Sequence, residues 1–209
     1  MIQILLKDIY SIKDIPTKKP CWIEGKRWNS IQKMKTDADK RRSFVSGILL
    51  DSMCQDMGIN TPVYELTERG KPYLVGMDCA FNISHSGDYV VLAYHANTEP
   101  LGIDIQKVRT MRDGMQKRIL HEMEKSLLPE GAGNEVHYLN RLWAIKESFV
   151  KMTGEGLSQD FRTVYVDFEN GTVQTQEHFR AHFSVWEWKS DYFLSICSKS
   201  KEECVIKEI

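Results

Sequence analysis

The chain has 209 residues, with 28 Lys+Arg against 29 Asp+Glu and a formal net charge of −1 when its six His are neutral. With 42% hydrophobic and 27% charged residues it has the makeup of a folded domain, and a chain of this length buries roughly 70% of its unfolded surface, so it needs no disulfide or structural metal to fold. That balance excludes a disordered chain, a collagen-like repeat and a broadly basic nucleic-acid coat, but not a local basic site, because net charge averages over the whole surface.

The start, MIQILLKDIYSIKD, carries an apolar patch too short and too soon charged for a signal peptide, and residues 2–6 read as a first strand. Residues 39–57 place Phe44, Val45, Ile48, Leu49, Met53 and Met57 at helical spacing, with Asp37 or Asp39 to cap the helix and Gly58 to end it. Tyr64 and Leu66 alternate with charges before a turn at Arg69-Gly70-Lys71-Pro72. Residues 79–94 read as two strands around a Ser-His-Ser-Gly-Asp loop, and residues 100–106 as a short strand. The pattern then turns helical over 115–128 and strongly so over 136–152, before strands at 161–168, 171–176, 181–188 and 192–197. This order predicts an α+β fold in two lobes, residues 1–100 and 101–209, each with an antiparallel sheet and packed helices. The five cysteines (Cys21, Cys54, Cys79, Cys197, Cys204) form no C-x-x-C pair and no zinc-spaced cluster, which suits reduced thiols in a cytosol. No run approaches the roughly 18 apolar residues of a membrane span. The expectation is a soluble cytoplasmic protein without a membrane partner.

Three segments carry chemistry, and each also has a plain reading. In Leu101-Gly102-Ile103-Asp104-Ile105-Gln106, alternation sends Leu101, Ile103 and Ile105 into a core and puts Asp104 and Gln106 together on the other face. Asp104 there is either a residue of a wet strand face or a paired, solvated or metal-bound carboxylate. In the strong helix, Trp143, Glu147 and Lys151 fall at i, i+4 and i+8 on one stripe, while Leu142, Ile145, Phe149 and Met152 suit the core. Glu147 and Lys151 are either a solvated surface pair or part of a site that Trp143 shields. Phe81-Asn82-Ile83-Ser84-His85-Ser86-Gly87-Asp88 is either an ordinary polar hairpin or a loop that meets an anion through backbone N–H groups and a His. Ser84 and His85 as a nucleophile pair are discounted, because neighbours on a strand point to opposite faces.

The ordered combination F-N-I-S-H-S-G, L-G-I-D-I and W-A-I-K-E-S-F-V-K-x-x-G-x-G-L resembles the 4'-phosphopantetheinyl transferases of the two-lobed Sfp type, across roughly residues 37–157. Gly70-Lys71-Pro72 and the helix start Arg42-Ser43-Phe44 fall where that family has G-K-P and an Arg-led helix. The resemblance implies two lobes related by pseudo-twofold symmetry, with the active site at their interface. It implies transfer of the phosphopantetheine arm of coenzyme A to a serine of an apo carrier protein, acyl, peptidyl or polyketide, with release of adenosine 3',5'-bisphosphate. By the same carry-over Asp104 and Glu147 bind Mg²⁺; where many relatives carry an acid this chain has Gln106, which either binds the ion weakly or leaves that place to a water. Glu147 accepts the serine proton, directly or through water, and Lys151 holds the pyrophosphate. Arg42 and His85 match contacts to the 3'-phosphate of coenzyme A, and Lys71, Pro72 and Ser84 match neighbours of the nucleotide pocket. Trp143 would support the helix face, and Lys146 is a matched position without an assigned role; Lys33 and Lys35 align loosely.

The stretch 107–118 holds Lys107, Arg109, Arg112, Lys117 and Arg118 with Asp113 as its sole acid, and Met111 and Met115 are interleaved. Read plainly it is a solvated helix start; under the resemblance, Arg109, Met111, Arg112 and Met115 dock the acidic carrier. A monomer suffices if both lobes lie in one chain. The rival readings are a non-catalytic coenzyme A-binding relative, which Gln106 favours, and a metal-dependent nucleotide hydrolase. Nucleic-acid binding fails on the neutral charge and the lack of an aromatic-basic platform.

Overall fold

The computed structural model describes residues 1–112, 114–155, 160–177 and 179–209. The chain runs β1 (Ile2–Asp8), α1 (Gly25–Lys33), α2 (Asp37–Asp56), β2 (Tyr64–Leu66), β3 (Pro72–Leu74), β4 (Ala80–Ser86), β5 (Tyr89–His95), β6 (Leu101–Lys107), α3 (Met115–Ile119), a 3-10 turn at Glu122–Leu127, α4 (Ala132–Thr153), a second 3-10 turn at Phe161–Thr163, β7 (Val164–Asp167), β8 (Thr172–Thr175), β9 (Arg180–Trp188), β10 (Tyr192–Ser198) and β11 (Cys204–Glu208). The fold class is α+β.

Strand alternation builds the layers. One sheet has the order β11-β1-β5-β4 and the other β6-β10-β9-β8-β7, while β2 and β3 form a separate hairpin. Ile2, Ile4 and Leu6 of β1 and Val91 and Ala93 of β5 meet Leu101, Ile103 and Ile105 of β6 and Leu194 and Ile196 of β10 in one buried core between the two sheets. The opposite face of the first sheet packs on α2 through Leu5, Val90 and Leu92 against Val45, Leu49 and Met53. The outer face of the second receives α4, whose Leu142, Ile145, Phe149 and Met152 are buried as their spacing predicts. The order is therefore helix, sheet, sheet, helix.

Two local expectations change. Helix α2 is capped by Thr36, whose hydroxyl accepts the Asp39 N–H, and Asp37 and Asp39 fill the first turn, where acids favour the positive end of the helix. The helical stretch 115–128 breaks in two, because His121 caps the Glu122–Leu127 turn in a reciprocal capping box with Glu124. The first sheet also carries a parallel pair: β11 returns from the C-terminal end to lie beside β1. Asp113, Gly156 and Leu157, named above, lie outside the described residues.

At the edges the sheets meet without a backbone ladder. Side chains of β4 bond to β6 instead: Asn82 Oδ1 accepts the Ile103 N–H at 2.9 Å, Ser86 Oγ accepts the Lys107 N–H at 3.0 Å, and between them Ser84 Oγ donates to Asp104 at 2.7 Å. Above this seam α4 crosses β6 at Gly102. A Cβ there would overlap the Ser148 carbonyl O and the Met152 amide N, both backbone atoms that cannot swing aside. Glycine at 102 is what lets the helix lie on the strand.

Lys146, from the other side of α4, is fully buried at 0% exposure. Its ammonium donates to Glu124 Oε2 at 2.6 Å and to the carbonyls of Ile119 and Phe161. Glu124, also at 0%, accepts the N–H of His121 and of Val166 as well. Two buried charges with this many partners knit α3, both 3-10 turns, α4 and β7 together. Removing one partner strands the other charge: Lys146→Ala is expected to cost about 3–5 kcal/mol in denaturant unfolding, and Lys146→Met paired with Glu124→Leu to recover most of that loss.

Candidate active site

Asp104 is the centre of the site. It is buried on β6, on the face turned to α4, and its Oδ1 accepts from Ser84 Oγ at 2.7 Å and from Lys151 Nζ at 2.6 Å. Lys151 Nζ also donates to Ser84 Oγ at 2.7 Å, which closes a triangle across β4, β6 and α4. The wet-strand reading of Asp104 and the surface-pair reading of Lys151 therefore both fail. Glu147, one helical turn before Lys151, is half-buried. Its carboxyl is pushed up to about 7, first by burial and then by the charge of Asp104, with Lys151 opposing. Two carboxylates that sense each other beside a lysine form an oxygen-rich donor set suited to a hard divalent cation. Among the described residues, no three His, Cys, Asp or Glu side chains converge on one point.

Gln106 lies on the Asp104 face, buried, as alternation requires. Its amide N–H donates to the Lys107 carbonyl at 2.8 Å and faces Asn140 Oδ1 at 3.5 Å. Asn140, at 0% exposure, also binds the Arg109 backbone in both directions and so pins the start of the basic segment to α4. Gln106, Arg109, Met111, Arg112, Met115 and Trp143 then line one cavity of about 400 Å³. Trp143 packs edge-on against Phe161 at 5.2 Å and forms its inner wall.

Alternation separates Ser84 from His85, and β4 runs through both to Ser86, so the predicted loop shrinks to Gly87-Asp88. Ser84 faces Asp104; His85 faces a groove of about 640 Å³ with Lys33, Lys35, Asp39, Arg42 and Arg27 on its walls. Although exposed, His85 is held below its ordinary value, first by the protein atoms that displace water and then by Arg42 and Lys151. The two neighbours on β4 thus serve different sides, Ser84 the Asp104 cluster and His85 the groove. Arg42 is aimed by two contacts, a pair with Asp39 Oδ1 at 2.7 Å and a bond to the Gly87 carbonyl at 2.9 Å. Pro72 lines an adjoining cavity of about 500 Å³ together with Trp22, Arg27, Ser43, Tyr64 and Phe81. Lys71 is placed differently: its ammonium donates to the carbonyls of Leu101 and Lys151.

Residues 100–197 match the family profile described as the 4'-phosphopantetheinyl transferase superfamily, and residues 21–97 match that described as 4'-phosphopantetheinyl transferase, N-terminal. The chain belongs to the 4'-phosphopantetheinyl transferase superfamily. It is 32% identical over 141 residues to the 4'-phosphopantetheinyl transferase Sfp of Bacillus subtilis (strain 168), covering 65% of this chain and 62% of that one. A second Bacillus subtilis 4'-phosphopantetheinyl transferase is 31% identical over 147 residues, covering 68% and 65%. The L-aminoadipate-semialdehyde dehydrogenase-phosphopantetheinyl transferase of Xenopus laevis is 32% identical over 125 residues, covering 52% and 40%. The matched stretch spans less than two thirds of the length of each of these relatives.

Within the family's boundaries, sequence reasoning missed three residues that shape the site. Gly102 sets the helix height, and a lone Gly inside a strand pattern is a signal for close backbone approach. Asn82 and Arg27 gave no such signal, because both act through partners distant in the chain. Glu147 carries a stability consequence. Its folded value of about 7 lies above the ordinary 4.5, so the folded chain keeps a proton that the unfolded chain has lost, and stability falls as pH rises through that interval. With no divalent cation bound, Glu147→Gln is expected to remove this slope and Asp104→Asn to narrow it, as read from denaturant unfolding between about pH 5 and about pH 8.

Proposed function

We propose that the chain transfers the 4'-phosphopantetheine arm of coenzyme A to a serine of an apo carrier protein and releases adenosine 3',5'-bisphosphate. The observation that carries this reading is that neighbouring residues of β4 serve two features: Ser84 bonds to Asp104 and Lys151, beside Glu147, and His85 lines a groove walled by Arg42, Lys33 and Lys35. Phosphoryl transfer from a pyrophosphate needs cations along the phosphates and a proton acceptor beside the nucleophile; the groove and Lys151 supply the first and Glu147 the second.

In this reading Arg42 and His85 hold the 3'-phosphate, and Pro72 with its neighbours lines the place of the base. Asp104 and Glu147 would hold magnesium, with Gln106 as an uncharged third oxygen donor, and the ion would neutralise charge on the pyrophosphate. The carrier serine gives its proton to the Glu147 carboxylate as its oxygen bonds to the phosphorus bearing the pantetheine. The bond from that phosphorus to the bridging oxygen breaks, and Lys151 meets the charge collecting on the departing bisphosphate. Without an ion, burial and the charge of Asp104 push the Glu147 carboxyl up to about 7, and a bound cation would favour the ionised form that accepts the proton. Arg109 and Arg112, exposed beside Met111 and Met115, would receive an acidic carrier next to the site. No helix of the described residues is long and apolar enough to cross a membrane. One chain carries every residue named, so the reading takes a monomer acting in the cytoplasm.

Incubation with coenzyme A, Mg²⁺ and a panel of apo carriers, read by mass spectrometry, tests the whole proposal. The expected result is a carrier gaining one phosphopantetheine, with Asp104→Ala, Glu147→Ala or a chelator lowering the rate about 100-fold or more. Coenzyme A binding without loading of any carrier would favour the non-catalytic reading. Apparent carrier affinity should weaken with rising ionic strength and on neutralising Arg109 and Arg112.

A further inference from the structure

We infer that Lys71 is a positioning residue that fixes the end of α4 over β6, and that it acts on the site through the backbone of Lys151 rather than by touching the nucleotide. The inference rests on the transferase reading above. Lys71 sits in the tight connection between β2 and β3, which is shaped by bonds from the Thr67 N–H to the Lys71 carbonyl and from the Gly70 N–H to the Thr67 carbonyl. From there its ammonium reaches across the molecule and donates to two carbonyls, Leu101 O at 3.0 Å and Lys151 O at 2.7 Å.

Those two acceptors are where position matters. Leu101 opens β6 and precedes Gly102, the point at which α4 touches the strand backbone. Lys151 lies in the last turn of α4, at the negative end of the helix, where the backbone N–H partners of the carbonyls run out. One ammonium on both oxygens sets the height and rotation of the helix end against the strand. Gly102 permits the close approach but cannot hold it, since it offers no side chain; Lys71 supplies the hold. Lys151 is thereby fixed at both ends, its carbonyl by Lys71 and its own ammonium by Asp104 and Ser84. Glu147 is one turn earlier on the same helix, so its place against Asp104 depends on the same clamp. The side chain is partly buried, which by itself lowers its proton affinity, and the two carbonyl bonds offset the cost of keeping the ammonium charged there.

The test pairs Lys71→Met, which keeps the stem and removes the donors, with Lys71→Arg, which restores them. In the carrier-loading assay Lys71→Met should lower kcat by about 10- to 100-fold with the KM for coenzyme A within about twofold of the parent, and Lys71→Arg should regain most of the loss. Amide hydrogen exchange of the last turn of α4 should quicken by about tenfold in Lys71→Met and stay near the parent in Lys71→Arg. Should Lys71→Met not fold, Lys71→Gln, which keeps one donor group, should show the same pattern at reduced size. A raised KM with kcat retained would overturn the inference and make Lys71 a nucleotide contact. Unchanged exchange at the end of α4 would overturn it as well. If the parent chain loads no carrier, the transferase reading fails, while the exchange measurement still decides whether Lys71 holds the helix.

Discussion

Helix α4 lies on β6 more closely than any side chain at position 102 would allow, and the rest of the molecule is arranged around that contact. The closeness brings Lys151 within 2.6 Å of Asp104 across a helix-strand boundary that usually holds two layers of side chains. It also decides which way the remaining helix residues turn. With 3.6 residues per turn, Glu147 and Lys151 share the face over Asp104, while Lys146, next to Glu147, is carried round by about 100° into different packing. One motif of adjacent Lys and Glu thus serves two purposes that helix geometry separates completely.

Those two purposes show what the protein does with buried charge. Lys146 and Glu124 are matched one to one and saturated with hydrogen bonds, so the pair is electrostatically closed and specifies how the segments around α4 join. The cluster on the other face is left open. Asp104 and Glu147 have a single lysine between them, and burial, with the charge of Asp104 added to it, leaves a Glu147 carboxyl that keeps its proton up to about 7. A fold that closes one buried charge network and leaves its neighbour unbalanced has kept the imbalance where a charged ligand can settle it.

Most elements were legible in the sequence because they rest on local period. The alternation of β6, the apolar stripe of α4 and the strands from β7 to β10 follow from residues within a few positions of one another. What was not legible depends on partners far along the chain. The return of β11 to β1 pairs Cys204 with Ile2. The buried partner of Lys146 lies 22 residues before it, in a stretch whose pattern reads as one helix. The seam of Asn82, Ser84 and Ser86 looks like polar turn sequence and becomes a joint only once β6 lies beside it. At the site, the residue types were readable from the motif, but that Ser84 braces Asp104 while His85 faces a separate groove comes from strand alternation joined to the meeting of two sheets.

The neutral side chain at position 106 fits this charge distribution. An acid there would add a third negative group on the face that holds Asp104 and Glu147, where a single lysine already faces two carboxylates. Glutamine keeps an oxygen donor and removes that repulsion. Its amide N–H is engaged by the Lys107 carbonyl, so the carbonyl oxygen is the atom with which it would meet a ligand. Asn140 then does what a neutral partner permits: its oxygen faces the Gln106 amide while its own N–H groups hold Arg109 and Val136. An acid at 106 would confront that same oxygen with a second acceptor and loosen the tie to the basic segment. Glutamine at 106 is therefore coupled, through Asn140, to how the segment that begins at Arg109 is anchored.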